Sequence, residues 1–282
     1  MINFVLDKNL LIASGHDHLA SSLASMGHRV HLEELQSNAL GDFDFIDTNG
    51  ECTVLYGSIQ FVEQRMRRGS YSPGAYYSRD RFSCSYYMPR LPLELLGNGD
   101  GIYLPFSEFA RKREQCYRMF GVSQLFIRPN SGAKVFTGLT LDADSDAFEL
   151  SSLHQLTSVT DDTLILVAPA KNISAEYRFY IVEGKVITAS RYMVEGKPSS
   201  SPEIDPECLA VAVQVAANPW QADLAYTCDV GLFDQPGGQE ARVVEINAFS
   251  TSGLYECDSG ALFQAVAAVA RKEYDGEVSI NS

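Results

Sequence analysis

Alternating strand and helix signals, followed by a run of paired apolar segments, mark this chain as α/β at its N-terminus and α+β beyond it. Through Arg68 the chain alternates apolar runs with stretches of helical spacing. From Gln124 on, short apolar runs come in pairs around Asn, Gly and Pro, as hairpins do. Helical segments with capping residues separate those hairpins.

The elements follow in order. Ile2–Leu6 is an apolar run suited to a strand, and Leu10–Ala13 is a second apolar run. Asp17–Met26 has helical spacing through Leu19, Leu23 and Met26, Gly27 ends it, and His28–Leu32 returns as a strand. Thr53–Tyr56 is a strand closed by Gly57-Ser58, with a helix over Ile59–Arg68. The segment 69–101 is rich in Gly, Pro, Ser and Tyr, too aromatic for a disordered linker, and reads as ordered loops packed near a site. Ser107 is placed to cap a helix that ends at Gly121.

Leu125–Arg128 is a strand stopped by Pro129, and Lys134–Thr137 is its expected hairpin partner across Asn130-Ser131-Gly132. Asp144–Leu156 is helical, and Thr163–Ala168 is a buried strand ended by Pro169. Glu176–Val182 and Lys185–Tyr192 form a hairpin around Glu183-Gly184. A helix over Asp205–Asn218 carries Pro206 in its first turn. Strands Ala222–Val230 and Ala241–Ile246 and an amphipathic helix Ser259–Lys272 close the chain.

Composition narrows the function. The formal net charge of −14 argues against a broad nucleic-acid footprint, which needs a basic face. The longest apolar stretches fall far short of the roughly 20 residues of a membrane span. No basic leader precedes Asp7, so a cytoplasmic protein is expected. The six cysteines contain no C-x-x-C pair and read as small buried apolar residues. Gly15-His16-Asp17-His18 has no further ligand cluster near it and reads as a loop or helix start. G-x-G-x-x-G is missing from the first β–α step, which argues against a nicotinamide cofactor. Oligomeric state is not legible.

Four features bear on chemistry. Glu245 and Asn247 end the last strand two residues apart, hence on one face, as a hard oxygen pair suited to magnesium. Asp229 sits between apolar neighbours at the end of the preceding strand, where an unpaired carboxylate is costly and a cation removes the cost. Arg128, inside an apolar strand, and Lys134 after it call for an anion such as a triphosphate, which the Asn-Ser-Gly turn between them can approach with backbone N–H groups. Glu176, Arg178 and Arg191 lie on the central hairpin, behind an apolar edge at Leu166–Ala170 whose backbone suits an adenine. The first three also have a structural reading: a solvated turn, a rim carboxylate, a salt bridge to a core-edge acid.

The order of these features resembles the ATP-grasp superfamily over about residues 124–260. Phe126-Ile127-Arg128-Pro129 resembles, more narrowly, the clade of ATP-grasp domains in which arginine replaces the usual phosphate-binding lysine. Residues 54–109, with Gly57-Ser58 and Leu104-Pro105-Phe106, are similar to the N-terminal part of that clade. The resemblance implies an ATP-grasp fold: an N-terminal α/β, pre-ATP-grasp-like domain over residues 1–105, and two α+β subdomains sandwiching ATP within 106–282, divided at about 124–200 and 201–282. Arg128 and Lys134 would contact ATP phosphates, Val167, Ala168, Pro169 and Ala170 would form the adenine hinge, and Glu176 would hold the ribose or adenine end. Arg178 and Arg191 would join Arg128 as catalytic cations, and Asp229, Glu245 and Asn247 would ligate one or two Mg2+ ions. Ser250, Thr251, Ser252 and Gly253 would receive the acceptor substrate.

The implied reaction is ATP-dependent carboxylate–amine ligation, a carboxylate and an amine (small molecules or peptides) joining through an acyl phosphate. A phosphotransferase, or a regulatory ATP-binding module without turnover, is the alternative. One departure stands out: Ala168-Pro169 occupies the hinge where many relatives carry a polar pair, so adenine recognition there falls to the backbone.

Overall fold

The computed structural model describes residues 1–35 and 46–280. The N-terminal part is a parallel sheet of order β2-β1-β3-β4, built from β1 (Asn3–Asp7), β2 (Arg29–Glu33), β3 (Cys52–Tyr56) and β4 (Ser72–Gly74). Helices α1 (Lys8–Ala13), α2 (Leu19–Ser25) and α3 (Ile59–Arg68) lie between these strands in sequence. β1 and β3 are buried along their whole length, as central parallel strands are. Buried Asp7 caps α1 through Leu10 N–H and also accepts from the Ser58 N–H and hydroxyl at the start of α3.

The aromatic segment 69–101 is ordered, with β4, the short helix α4 (Cys84–Tyr87) and two 3₁₀ turns. It leads into β5 (Ile102–Pro105) and α5 (Phe106–Phe120). A second sheet, of order β5-β8-β6-β7, is antiparallel and contains β6 (Gln124–Pro129), β7 (Leu139–Asp142) and β8 (Leu164–Pro169), with α6 (Asp146–Leu156) between β7 and β8. The third sheet, β11-β10-β9-β12-β13, comprises β9 (Ile173–Val182), β10 (Lys185–Val194), β11 (Lys197–Ser201), β12 (Ala225–Gln235) and β13 (Gly238–Ala248). It packs α7 (Pro206–Ala216) on one face and α8 (Ser259–Tyr274) on the other. β9 to β11 thus share a sheet with β12 and β13, across the division at residue 200 drawn from the sequence.

Several local expectations shift. Lys134–Thr137 is not a strand: the hairpin partner of β6 is β7, which begins at Leu139. Lys134 adopts φ 49°, which turns the chain away from β6, and a Cβ on Gly138 would meet Phe126 at 2.7 Å, so the backbone crosses that ring closely. Leu10–Ala13 is helical and belongs to α1. Ser107 does not cap α5: its N–H and hydroxyl both donate to Asp161 O, while Pro105 is the N-cap residue. Gly121 ends α5 as expected, at φ 68°. No helix among the described residues is long and apolar enough to cross a membrane, and all six cysteines are free, five of them buried.

Candidate active site

The site is assembled by strand register. Arg178 on β9 pairs with Asp229 on β12, and Asp229 pairs with Glu245 on β13, so the three side chains form a row across one sheet face. Arg178 grips Asp229 with two hydrogen bonds, Nε to Oδ1 at 2.8 Å and Nη2 to Oδ2 at 2.7 Å, and Asn247 Nδ2 adds a third to Oδ2 at 3.3 Å. From the facing sheet, Arg128 on β6 donates to Glu245 Oε2, and Lys134 lies 3.3 Å from Glu245 Oε1. The row therefore joins the two sheets: Arg178, Asp229, Glu245, Arg128.

Burial sets its electrostatics. Asp229 is fully buried, and that burial pushes its carboxyl up against the pull of Arg178. Burial acts on Glu245 too, but Arg128 and Lys134 overcome it and hold this carboxyl well below the usual glutamate range. Glu176 is raised by burial, which the hydrogen bond from Tyr192 Oη at 2.6 Å only partly offsets.

Between the sheets lies a cavity of about 400 Å³, lined by Arg128, Lys134, Lys171, Glu176, Arg178 and Glu245 among others. Its lining follows β9 from Ile173 to Arg178. Ile173 pairs with Phe233 at one end and Arg178 with Asp229 at the other, five residues apart, or about 17 Å at ~3.3 Å per residue. The Arg178 end carries the cations. The other end has apolar walls from Phe126, Ile173 and Phe233, with Asn98 and Lys171 as its polar groups. Lys171 is tied to Asp100 at 2.7 Å and lies 3.5 Å from Asn98 Oδ1. A small recess of about 50 Å³ opens beside the cationic end, where Lys134, Arg178 and Asn247 meet Ile59, Tyr77 and Phe82 from the N-terminal part.

Most residues singled out from sequence converge here, but not all. Arg191 is on the opposite face of the sheet: it pairs with Tyr177, whose ring packs with the α7 core, and its Nε donates to Ser199 O. Two bulges are the cause. Counted from the Glu183-Gly184 turn, the register shift between Val186 and Thr188 moves Arg191 from opposite Glu176 to opposite Tyr177, and the second, between Arg191 and Met193, makes Tyr192 an extra residue that takes the place in the cavity. Val167 and Ala168 are fully buried between β5 and β6, and none of the expected hinge residues 167–170 lines the cavity. Ser250 is buried with its Oγ accepting from Tyr76 N–H, and Ser252 donates to Ala248 O. Thr251 and Ser252 border the small recess.

Sequence reasoning missed Lys171, Asn98 and Tyr192 as cavity residues. Tyr192 and Tyr255 stack with centroids 5.1 Å apart, and the Arg178 guanidinium lies 5.5 and 5.3 Å from their ring centres. A bulge leaves no signature in a single sequence.

A divalent cation can be tested against this donor set. Among the described residues no group of three or more His, Cys, Asp or Glu side chains forms a metal cage. The converging oxygens of Glu245, Asn247 and Asp229 are all hard donors, which suits magnesium bound by few protein ligands plus phosphate oxygens. Glu245 and Asn247 fit. The oxygens of Asp229 are engaged by Arg178 and those of Glu245 by Arg128 and Lys134, so both carboxylates would share them with the ion.

The sequence over residues 86–266, more than half of the chain, matches family 3 of the ATP-grasp domains of the arginine-for-lysine clade. No curated protein matches the sequence. Among solved structures, the D-cycloserine synthetase DcsG superposes with a TM-score of 0.64 at 12% identity, over 95% of this chain and 99% of that one. The D-alanine–D-alanine ligase of Bacillus anthracis gives 0.58 at 13% identity, over 99% and 100%. The ATP-grasp ligase PsnB, complexed with a minimal precursor, gives 0.57 at 13% identity, over 96% and 99%. At such identities these similarities speak to the fold.

Proposed function

The chain belongs to family 3 of the arginine-for-lysine clade of ATP-grasp domains, and from that premise we propose that it is an ATP-dependent ligase joining a carboxylate to an amine. The single observation that carries this reading is the row Arg178–Asp229–Glu245–Arg128, which sets cations from two sheets around a carboxylate at one end of the cavity.

ATP would lie along β9. Its triphosphate faces Arg128, Lys134 and Arg178, its ribose faces Glu176, and its base enters the apolar slot of Phe126, Ile173 and Phe233. Asn98 and Lys171, which line the cavity, would read the base in place of the segment Val167–Ala170, which does not. Glu245 and Asn247, with a share from Asp229, would hold one or two magnesium ions, whose contribution is to neutralise charge on the transferring phosphoryl group. Arg191 has no part in it, and Tyr192 stands where it was expected.

The acceptor carboxylate would enter the recess beside Thr251 and Ser252, against Arg178 and Lys134. Its oxygen attacks the γ-phosphorus, the bond to the bridging oxygen breaks, and ADP leaves with that electron pair. An amine nitrogen then bonds to the acyl carbon, phosphate departs with the C–O electrons, and the amine proton passes to solvent. The arginines hold charge in place while it moves, which is electrostatic preorganisation.

ADP release with a panel of carboxylic acids, with and without amines, tests this. Release that needs both, with an amide product, is expected. A phosphorylated acid as final product means a phosphotransferase, and no ATP binding in magnesium means the reading is wrong.

A further inference from the structure

Gly97-Asn98-Gly99-Asp100-Gly101 is a glycine-spaced loop anchored to both sheets around the nucleotide cavity. Gly97 N–H donates to Val243 O on β13 at 2.9 Å, and β5, which starts at Ile102, pairs with β8 of the facing sheet. Between these anchors Gly101 N–H closes a turn onto Asn98 O at 3.1 Å. Side chains are excluded where the loop passes its neighbours. A Cβ on Gly97 would meet Cζ of buried Phe233 at 2.3 Å, and one on Gly101 would meet Val167 O at 3.0 Å. The loop therefore carries two side chains at fixed places. Asn98 lines the nucleotide cavity, while Asp100 lines an adjoining hollow of about 360 Å³ that shares Lys171 and Phe233 with it.

Lys171 links the two. Its ammonium donates to Asp100 Oδ1 at 2.7 Å and to Asn98 Oδ1 at 3.5 Å. An ammonium has three donors and no acceptor, so one N–H is left for the cavity that Lys171 lines. With its Oδ1 turned to Lys171, buried Asn98 has its Nδ2 left over, and that nitrogen has no hydrogen-bond partner among the described residues. Both polar groups at the base end thus offer donors. Asp100, the carboxylate of this cluster, lies outside the nucleotide cavity with Oδ1 engaged by Lys171.

A donor-lined end selects bases by their acceptors. Guanine presents N7 and O6 on one edge, both acceptors, whereas adenine presents N7 beside its N6 amino group, a donor. Two donors match the guanine edge fully. Against adenine they satisfy N7 and leave the amino group facing a donor, stripped of water with nothing to accept its proton. The surrounding walls of Phe126, Ile173 and Phe233 take either ring, since they contribute no polar side chain.

We propose that the loop 97–101 selects the nucleobase by its acceptors, so that this chain binds guanine nucleotides at least as tightly as adenine nucleotides. Asn98 and Lys171 contact the base, and Asp100 is a positioning residue that acts through Lys171. This rests on the nucleotide placement of the ligase reading. It widens the phosphoryl donor from ATP to GTP and leaves the step at the γ-phosphorus unchanged.

Binding tests this without knowledge of the acid or the amine. The non-hydrolysable analogues AMPPNP and GMPPNP, and inorganic tripolyphosphate as a probe with no base, are titrated by calorimetry in magnesium. The proteins are the full chain, Lys171→Met, Asp100→Ala and Asp100→Glu. In the unaltered protein the Kd for GMPPNP should equal or undercut that for AMPPNP. Lys171→Met should weaken GMPPNP about tenfold or more, as loss of a hydrogen bond from a charged group does, with AMPPNP weakened less and tripolyphosphate unmoved. Asp100→Ala should change the ratio of the two Kd values in the same direction and Asp100→Glu should restore it, whereas an ion pair serving only the fold would leave that ratio alone. Tighter binding of AMPPNP than of GMPPNP by the unaltered protein overturns the base assignment and leaves the ligase reading standing. So does a Lys171→Met variant that shifts both analogues and tripolyphosphate alike. If the unaltered protein binds neither analogue, the ligase reading itself fails and the base assignment falls with it.

Discussion

Arg178 and Asp229 face each other across β9 and β12 with two parallel hydrogen bonds of 2.8 and 2.7 Å, the carboxylate fully buried and the guanidinium nearly so. A buried pair of this kind adds little net stability over apolar residues, but breaking it strands a charge. Asp229→Asn keeps the shape and one acceptor while leaving Arg178 uncompensated. It should destabilise the fold by about 3–5 kcal/mol, read as a lower denaturant midpoint with unchanged slope. Asp229→Asn with Arg178→Met should recover part of that loss, as a double-mutant cycle would register.

Glu245 is held ionised by Arg128 and Lys134 from the facing sheet. Glu245→Gln removes the charge with little change of volume, and ADP release should fall by about 100-fold or more while the far-ultraviolet spectrum is unchanged. Linkage gives a second readout. A carboxyl depressed in the folded state contributes stability above the ordinary glutamate range and loses it as pH falls through its folded value. The variant should therefore lose less stability than the unaltered protein on acidification.

Tyr192 reaches Glu176 at 2.6 Å and stacks on Tyr255. Tyr192→Phe keeps the ring and removes the donor, leaving a half-buried carboxylate short of a partner. The expected cost is about 1–3 kcal/mol in unfolding free energy. Glu176 also faces the cavity, so a higher KM for ATP is expected in steady-state kinetics, with the binding of the acid little affected.

Asp223, away from the site, is pushed up to about 7 by burial, with Glu273 adding to the shift and the Leu224 N–H and Arg81 opposing it. The folded chain then holds a proton that the unfolded chain releases between the ordinary aspartate range and that value. Stability falls as pH rises through this window and is flat above it. Asp223→Asn, which keeps an acceptor for the Leu224 N–H, should raise Tm at pH 7 to 8. The gain should vanish near pH 4.

Much of the architecture was legible because its signals are local. Period-two alternation with turn residues located β9 and β10, Pro206 located the start of α7, and Gly121 the end of α5. The pairs at Glu245/Asn247 and Arg128/Lys134 were legible because residue type and spacing along the chain limit which groups can share a face. Errors came where the backbone departs from regular geometry. Lys134 turns the chain at positive φ, so the hairpin closes through β7. The register shift between Val186 and Thr188 puts Arg191 opposite Tyr177 and so on the other face, and the Tyr192 bulge brings the strand back to the cavity, since one extra residue inverts every side chain beyond it.

By itself, the sequence determined the α/β-then-hairpin order of elements, the charge types available for a polyanion, and the family those elements belong to. Tertiary structure alone decided which charges meet. Arg128 lies 117 positions from Glu245, and Arg178 lies 51 from Asp229. Their partnership depends on strand register and on two sheets facing each other across a cavity. The same holds for Tyr255, which lines two concavities and whose carbonyl is met from the α1–α2 turn by His16, 239 positions away. Chain-local propensities carry no record of contacts at such separations, because they arise when buried surfaces and charges find partners as the sheets assemble.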